Sequence, residues 1–183
     1  WAPFEPSSEQ PWNRQRVAHL CRRAGFGATS EELDELVKRK PSEVARIFVD
    51  NAKAASQLDP EVDALALAML ATGNSRNLAA WWLYRMLNSY WFGANATDRS
   101  PLLEKLTLFW HGHFATGAEK VDDAKMMFNQ NRLLRRHSLG DFGAMTQAIS
   151  RDPAMLIYLD STTNRKAHPN ENYAREIMEL FCL

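Results

Sequence analysis

Hydrophobic residues return every three or four positions through most of this chain, the spacing of helices that each bury one face. Val17, Leu20 and Cys21 share a face in "NRQRVAHLCRRAGFG", and Gly25 and Gly27 close that element. "ATSEELDELVKRK" reads as a helix capped by Thr29 with Glu32 three residues on, the capping-box spacing, and Pro41 stops it. "SEVARIFVDN" follows as a short helix with Ser42 as its cap. The alanine-rich stretch to about residue 77 carries little pattern, and its first half reads as a mobile connection. "SRNLAAWWLYRMLNSY" is again periodic, with Leu78, Trp82, Arg85 and Met86 on neighbouring turns. "GANATDRS" reads as a loop, and Ser100 and Pro101 open "PLLEKLTLFWHGHF" as cap and first-turn proline. After the polar connection "TGAEKV", a long helix runs to Gly140. Two further helices start near Asp141 and at Pro153, "TNRKAHP" is a loop, and Asn170 caps a last helix.

Composition sharpens this into a fold class. The chain has 24 alanines and 21 leucines against ten valines and isoleucines together. Straight-chain residues and alanine lose little freedom in a helix, whereas β-branched residues suit strands. The expectation is an all-α protein of about eight helices: an extended, proline-rich arm over residues 1–14, then a single helical domain over 15–183. Trp1, Phe4 and Trp12 would pin the arm to the body.

The 22 basic and 22 acidic residues cancel, so no global charge points to nucleic acid or to an anionic membrane as partner. No apolar run reaches the length of a membrane span, and no signal peptide is present in this sequence. Cys21 and Cys182 sit at apolar helical positions without metal-like spacing, which reads as two free buried thiols.

Candidate chemistry is confined to two places. In "EKLTLFWHGHF", Leu102, Leu103, Leu106, Phe109, Trp110 and Phe114 form one broad stripe that takes in His113. His111 falls on the other side, near Glu104 and Thr107. A regular helix therefore cannot aim both histidines at one metal; they converge only if Gly112 breaks it. In "HPNENYAREIMELFCL", Tyr173, Ala174, Ile177, Leu180 and Phe181 form the apolar face. Glu171, Arg175 and Glu179 are spaced for a surface ion-pair ladder, while Asn172 and Glu176 lie on the border of the buried face. Border carboxylates can bind a divalent metal with histidines from another helix, or can pair with an arginine; Arg22, Arg23, Arg85, Arg132, Arg135 and Arg136 are available. There is no phosphate-binding glycine loop, no H-E-x-x-H and no C-x-x-C-H.

Four stretches, "AHLCRRAGFGAT", "LTLFWHGHF", "LGDFGAMTQAISRDPAMLIYLD" and "NENYAREIMELF", taken in this order, resemble the bacterial family catalogued as domain of unknown function 1800. The resemblance implies a mostly helical protein of several hundred residues, exported to the periplasm or beyond. It also implies a neighbouring protein of a sulfatase-like family as a candidate partner, and it supplies no reaction, cofactor or substrate. The family continues past "ELF" with a glycine and further helices, so the chain reads as an N-terminal fragment truncated at its C-terminus.

Two readings stand. In one, His111, His113, Glu176 and Glu179 form a polar site for a divalent metal. In the other, the chain is a non-catalytic helical scaffold or protein-interaction module. There Asn170, Glu171, Asn172 and Arg175 would belong to a structural polar network with Glu176 held by an arginine.

Overall fold

The structure is a computed structural model that describes residues 2–57, 64–91 and 100–181. Most of the "GANATDRS" loop, the middle of the alanine-rich stretch, Trp1 and Cys182 lie outside the described residues, and the expectations that fall on them with it.

The protein is all-α. In chain order its helices are α1 (Arg14–Ala24), α2 (Ser30–Leu36), α3 (Pro41–Ser56), α4 (Ala64–Ala71), α5 (Ser75–Leu87), α6 (Pro101–Phe114), α7 (Ala118–Val121), α8 (Ala124–His137), α9 (Phe142–Ile149), α10 (Pro153–Tyr158) and α11 (Asn172–Glu176). A 3₁₀ turn covers Ser161–Thr163, and α11 continues as a π-helical segment, Ile177–Phe181. Among the described residues there is no strand, only an isolated bridge between Arg165 and His168.

Helix starts follow the sequence closely where a side chain can satisfy a free backbone N–H. Thr29 and Glu32 complete the reciprocal capping box of α2. Asp141 and Asp152 accept from the N–H groups of Ala144 and Met155, and Ser100 accepts from Leu103. Two starts differ from expectation. The helix α3 begins at Pro41, because proline's fixed φ suits the first helical position, so Ser42 lies inside the first turn and caps nothing. It also runs on to Ser56, absorbing residues expected in a connection. The last helix begins at Asn172 behind Glu171, and Asn170 reaches it from one residue further back, its Oδ1 accepting from the Asn172 N–H at 3.0 Å. The helix α7 occupies the stretch expected as a polar connection, and α4 lies in the later part of the alanine-rich stretch, where the sequence carried little pattern.

The chain divides into two compact units: residues 1–58 with 83–106, and residues 59–82 with 107–183. In the first, Val17, Cys21, Leu36, Val44, Phe48 and Trp91 form the core, and Trp12 of the arm packs against it. Trp91 is its organising side chain. Its indole stacks on Phe48 with ring centroids 3.9 Å apart, and its Nε1 donates to the Gly27 carbonyl at 2.7 Å. Its backbone N–H donates to Glu32, and its carbonyl accepts from Asn51. Gly25 leaves room for it: a Cβ there would sit 2.8 Å from the Trp91 ring and 2.8 Å from Pro101.

The first unit also holds a buried ion pair. Arg85 Nε donates to Glu104 Oε1 at 3.1 Å, with the two residues 6% and 0% exposed. In the second unit Ala66, Leu78, Trp81 and Phe128 form one cluster. A larger cluster gathers Phe114, Leu134, Met145, Ile149, Met155, Leu159 and Phe181.

Candidate functional site

The helix α6 runs unbroken through Gly112 to Phe114, and the Ala115 N–H still donates to the His111 carbonyl at 3.0 Å. The condition for the two histidines to converge is therefore absent. At 100° per residue, positions two apart project to opposite sides. His111 meets Trp82 edge-on, with ring centroids 5.3 Å apart. His113 goes the other way, into a ring of aromatic side chains: Trp110, Phe114 and Phe181 lie with centroids 5.0 to 5.9 Å from its own. There His113 Nε2 bonds the Phe181 carbonyl oxygen at 2.9 Å. A carbonyl only accepts, so the proton of that bond belongs to Nε2.

The polar residues of the last helix are partly drawn together. Asn172 donates to the Leu159 carbonyl, and its Oδ1 accepts from Arg175 Nη2 at 2.6 Å. Asn170 donates to the Asp160 carbonyl, tying the helix start to the end of α10. The Glu171 carbonyl accepts the Arg175 N–H at 2.9 Å. Arg175 approaches Glu176 at 3.7 Å, so the arginine nearest Glu176 is its chain neighbour and not one from another helix. Glu176 is half-buried and Glu179 is exposed. A ladder through Glu171, Arg175 and Glu179 needs an α-helical repeat. The π register that begins at Ile177 shifts Glu179 off that row. Among the described residues no three of the histidines, cysteines, aspartates and glutamates converge to hold a metal ion. His111, His113, Glu176 and Glu179 are all described, and they do not form one cluster.

A different polar system sits inside the second unit. Gln130 is 1% exposed, and its Nε2 donates both to Thr116 Oγ1 at 3.0 Å and to Asp152 Oδ2 at 2.8 Å. The same Asp152 oxygen caps α10. Burial raises the Asp152 carboxyl above its ordinary value, with the Met155, Gln130 and Ala154 hydrogen bonds opposing. Arg135, 1% exposed, donates to Asn131 Oδ1 at 3.3 Å. Sequence reasoning passed over Gln130, Asn131 and Asp152. The available signal for Gln130 and Asn131 was their helical register with Met127 and Leu134, since a polar group on a buried face must find a partner.

Thr116 and Asn131 both reach a cleft of about 260 Å³ within the second unit. One side of α5 supplies Ser75, Leu78 and Trp82, spaced three and four apart. The end of α6 supplies His111, the α6–α7 turn Thr116 and Gly117, α7 Glu119, and α8 Met127 and Asn131. Burial lowers the His111 pKa from its ordinary 6.5, so its imidazole is neutral at pH 7.

The sequence model of the family described as "Protein of unknown function (DUF1800)" matches residues 19–183. The chain belongs to this family. No curated protein and no solved structure matches it. Three of the four DUF1800-like stretches have a shared physical role. "LTLFWHGHF" supplies Phe114, "LGDFGAMTQAISRDPAMLIYLD" supplies Met145, Ile149, Met155 and Leu159, and "NENYAREIMELF" supplies Phe181, all in the larger core cluster. The fourth, "AHLCRRAGFGAT", supplies Cys21 and the close approach at Gly25. Burial raises the Cys21 thiol to about 12, so it stays protonated.

Proposed function

We propose that this DUF1800 chain is a non-catalytic helical interaction module whose His113 and last-helix polar residues fix helix register rather than bind a metal. One observation carries the reading: the Nε2 of His113 is spent on the Phe181 carbonyl at 2.9 Å. That nitrogen has no lone pair for a cation; Nδ1 keeps one, but among the described residues no three histidine, cysteine, aspartate or glutamate side chains gather to hold a metal with it. His111, two residues away on an unbroken helix, is turned to Trp82.

Calorimetric titration of the chain with zinc chloride and with manganese chloride tests this. The expected result is no saturable binding. A one-to-one site that disappears in His113→Ala or in Glu176→Ala would overturn it. His113→Phe should lower stability by about 1 kcal/mol, the net worth of one hydrogen bond.

An exported setting and a sulfatase-like protein as the partner rest on the family resemblance. They are tested by fractionating cells of the source bacterium and by co-purification with that neighbour. Cytoplasmic retention, or separate elution of the two proteins, would dismiss them.

A further inference from the structure

The cleft between α5, the α6–α7 turn and α8 joins two unlike kinds of surface. Leu78 and Trp82 lie on one side of α5, and Met127 adds to the apolar lining. Four hydrogen-bonding side chains come from other elements: His111, Thr116, Glu119 and Asn131. Thr116 and Asn131 are 4% and 6% exposed, so they are built into the wall and are not surface decoration. Asn131 Oδ1 accepts from Arg135, which leaves the Nδ2 end of the amide as its donor. A neutral imidazole carries one donor and one acceptor, and the Thr116 hydroxyl, which accepts from Gln130 and donates to the Phe114 carbonyl at 3.5 Å, keeps a second lone pair.

The charge pattern removes whole classes of ligand. Among the described residues no lysine or arginine lines the cleft, so none of them neutralises a phosphate, sulfate or carboxylate there. Among the described lining residues the one carboxylate, Glu119, is exposed. That is thin provision for a cation, which favours several carboxylates or an aromatic cage. What remains is an uncharged molecule with an apolar face and a rim of groups that both donate and accept. At about 260 Å³ the space falls just below the range of drug-sized pockets.

We propose that this cleft binds a small uncharged polyhydroxylated ligand, of the class of a single monosaccharide ring, with its C–H face toward the Trp82 side and its hydroxyls on His111, Thr116, Glu119 and Asn131. This goes beyond the interaction-module reading and stands without it, because it involves neither His113 nor the last helix.

The test is titration of the chain with D-glucose, D-galactose and N-acetyl-D-glucosamine to about 10 mM, tenfold above a Kd of about 1 mM. It is followed by tryptophan fluorescence and by saturation-transfer NMR on the sugar. At least one sugar should bind saturably. His111→Ala and Glu119→Gln should each weaken it fivefold or more. Glu119 is exposed, so its variant keeps the fold, and circular dichroism checks the other. Inorganic phosphate and tetramethylammonium chloride should give no saturable signal. Failure of all three sugars to saturate would overturn the proposal. So would equal affinity in both variants, or binding of tetramethylammonium in place of sugar. None of these outcomes touches the metal titration, so the two readings fail separately.

Discussion

Glu104→Ala should be among the most damaging single changes in the first unit. At 3.1 Å and an effective dielectric of about 20, the Arg85–Glu104 attraction is about 5 kcal/mol. Withdrawing each ion from water costs several kcal/mol, so the intact pair comes close to break-even. Removing one partner is different, because the attraction goes and the desolvation cost stays. Alanine at position 104 takes the Glu104 carboxylate away from the Arg85 guanidinium, which is 6% exposed. The expected loss is about 3–5 kcal/mol, or a fall in Tm of roughly 10 °C. Urea denaturation followed by tryptophan fluorescence measures it. The double variant Arg85→Met with Glu104→Leu replaces both charges with apolar volume and should recover stability to within about 1 kcal/mol of the parent. A loss under about 1 kcal/mol for Glu104→Ala, or a double variant less stable than the single one, would refute this account of the pair.

Gly25→Ala should cost about 1–3 kcal/mol, since the new methyl meets the Trp91 ring and Pro101 at 2.8 Å; an unchanged denaturation midpoint would mean that the core yields there. Thr29→Ala removes half of the capping box and should cost about 1 kcal/mol by the same measurement. Ala115 holds a φ of +40° just beyond α6, so Ala115→Gly should stabilise by about 0.5–1 kcal/mol, read as a rise in Tm. The two shifted groups of the second unit act on stability in opposite directions with pH. The His111 pKa is lowered, so its contribution is present above the ordinary 6.5 and lost as pH falls from there through the folded value. The Asp152 pKa is raised, so its contribution is present below the ordinary 3.8 and lost as pH rises through the folded value. Tm measured against pH should therefore lose its slope below 6.5 in His111→Phe and the opposite slope above 3.8 in Asp152→Asn.

Elements whose cause is local were legible from sequence. The Thr29–Glu32 box, the Pro101 and Pro153 starts and the helix start near Asp141 each depend on residues within one turn, and each is found. Partnerships across the chain were not. Arg85 and Glu104 are 19 residues apart, Glu32 and Trp91 are 59 apart, and Gln130 and Asp152 are 22 apart. Periodicity says that a polar residue lies on a buried face; it cannot say which of several opposite charges or amides it will meet. Six arginines were open to Glu176, and the one beside it is Arg175. Of the six, Arg85 is instead committed to Glu104, a carboxylate noticed only as a neighbour of His111.

The histidines show the limit more sharply, because there the sequence did pose the right question. Whether His111 and His113 could share a ligand turned on Gly112, and glycine's freedom permits a break without requiring one. A glycine interior to a helix costs about 1 kcal/mol relative to alanine. That is small beside the aromatic burial on either side of it: Trp110 and Phe114 both pack in the larger cluster. With neighbours of that size holding the helix straight, the glycine remains helical and the two imidazoles part. One is delivered to the Phe181 carbonyl and the other to the cleft beside Trp82. The same packing energy that parts the two imidazoles thus places a neutral imidazole beside Trp82, where a ring with one apolar face could use both its donor and its acceptor.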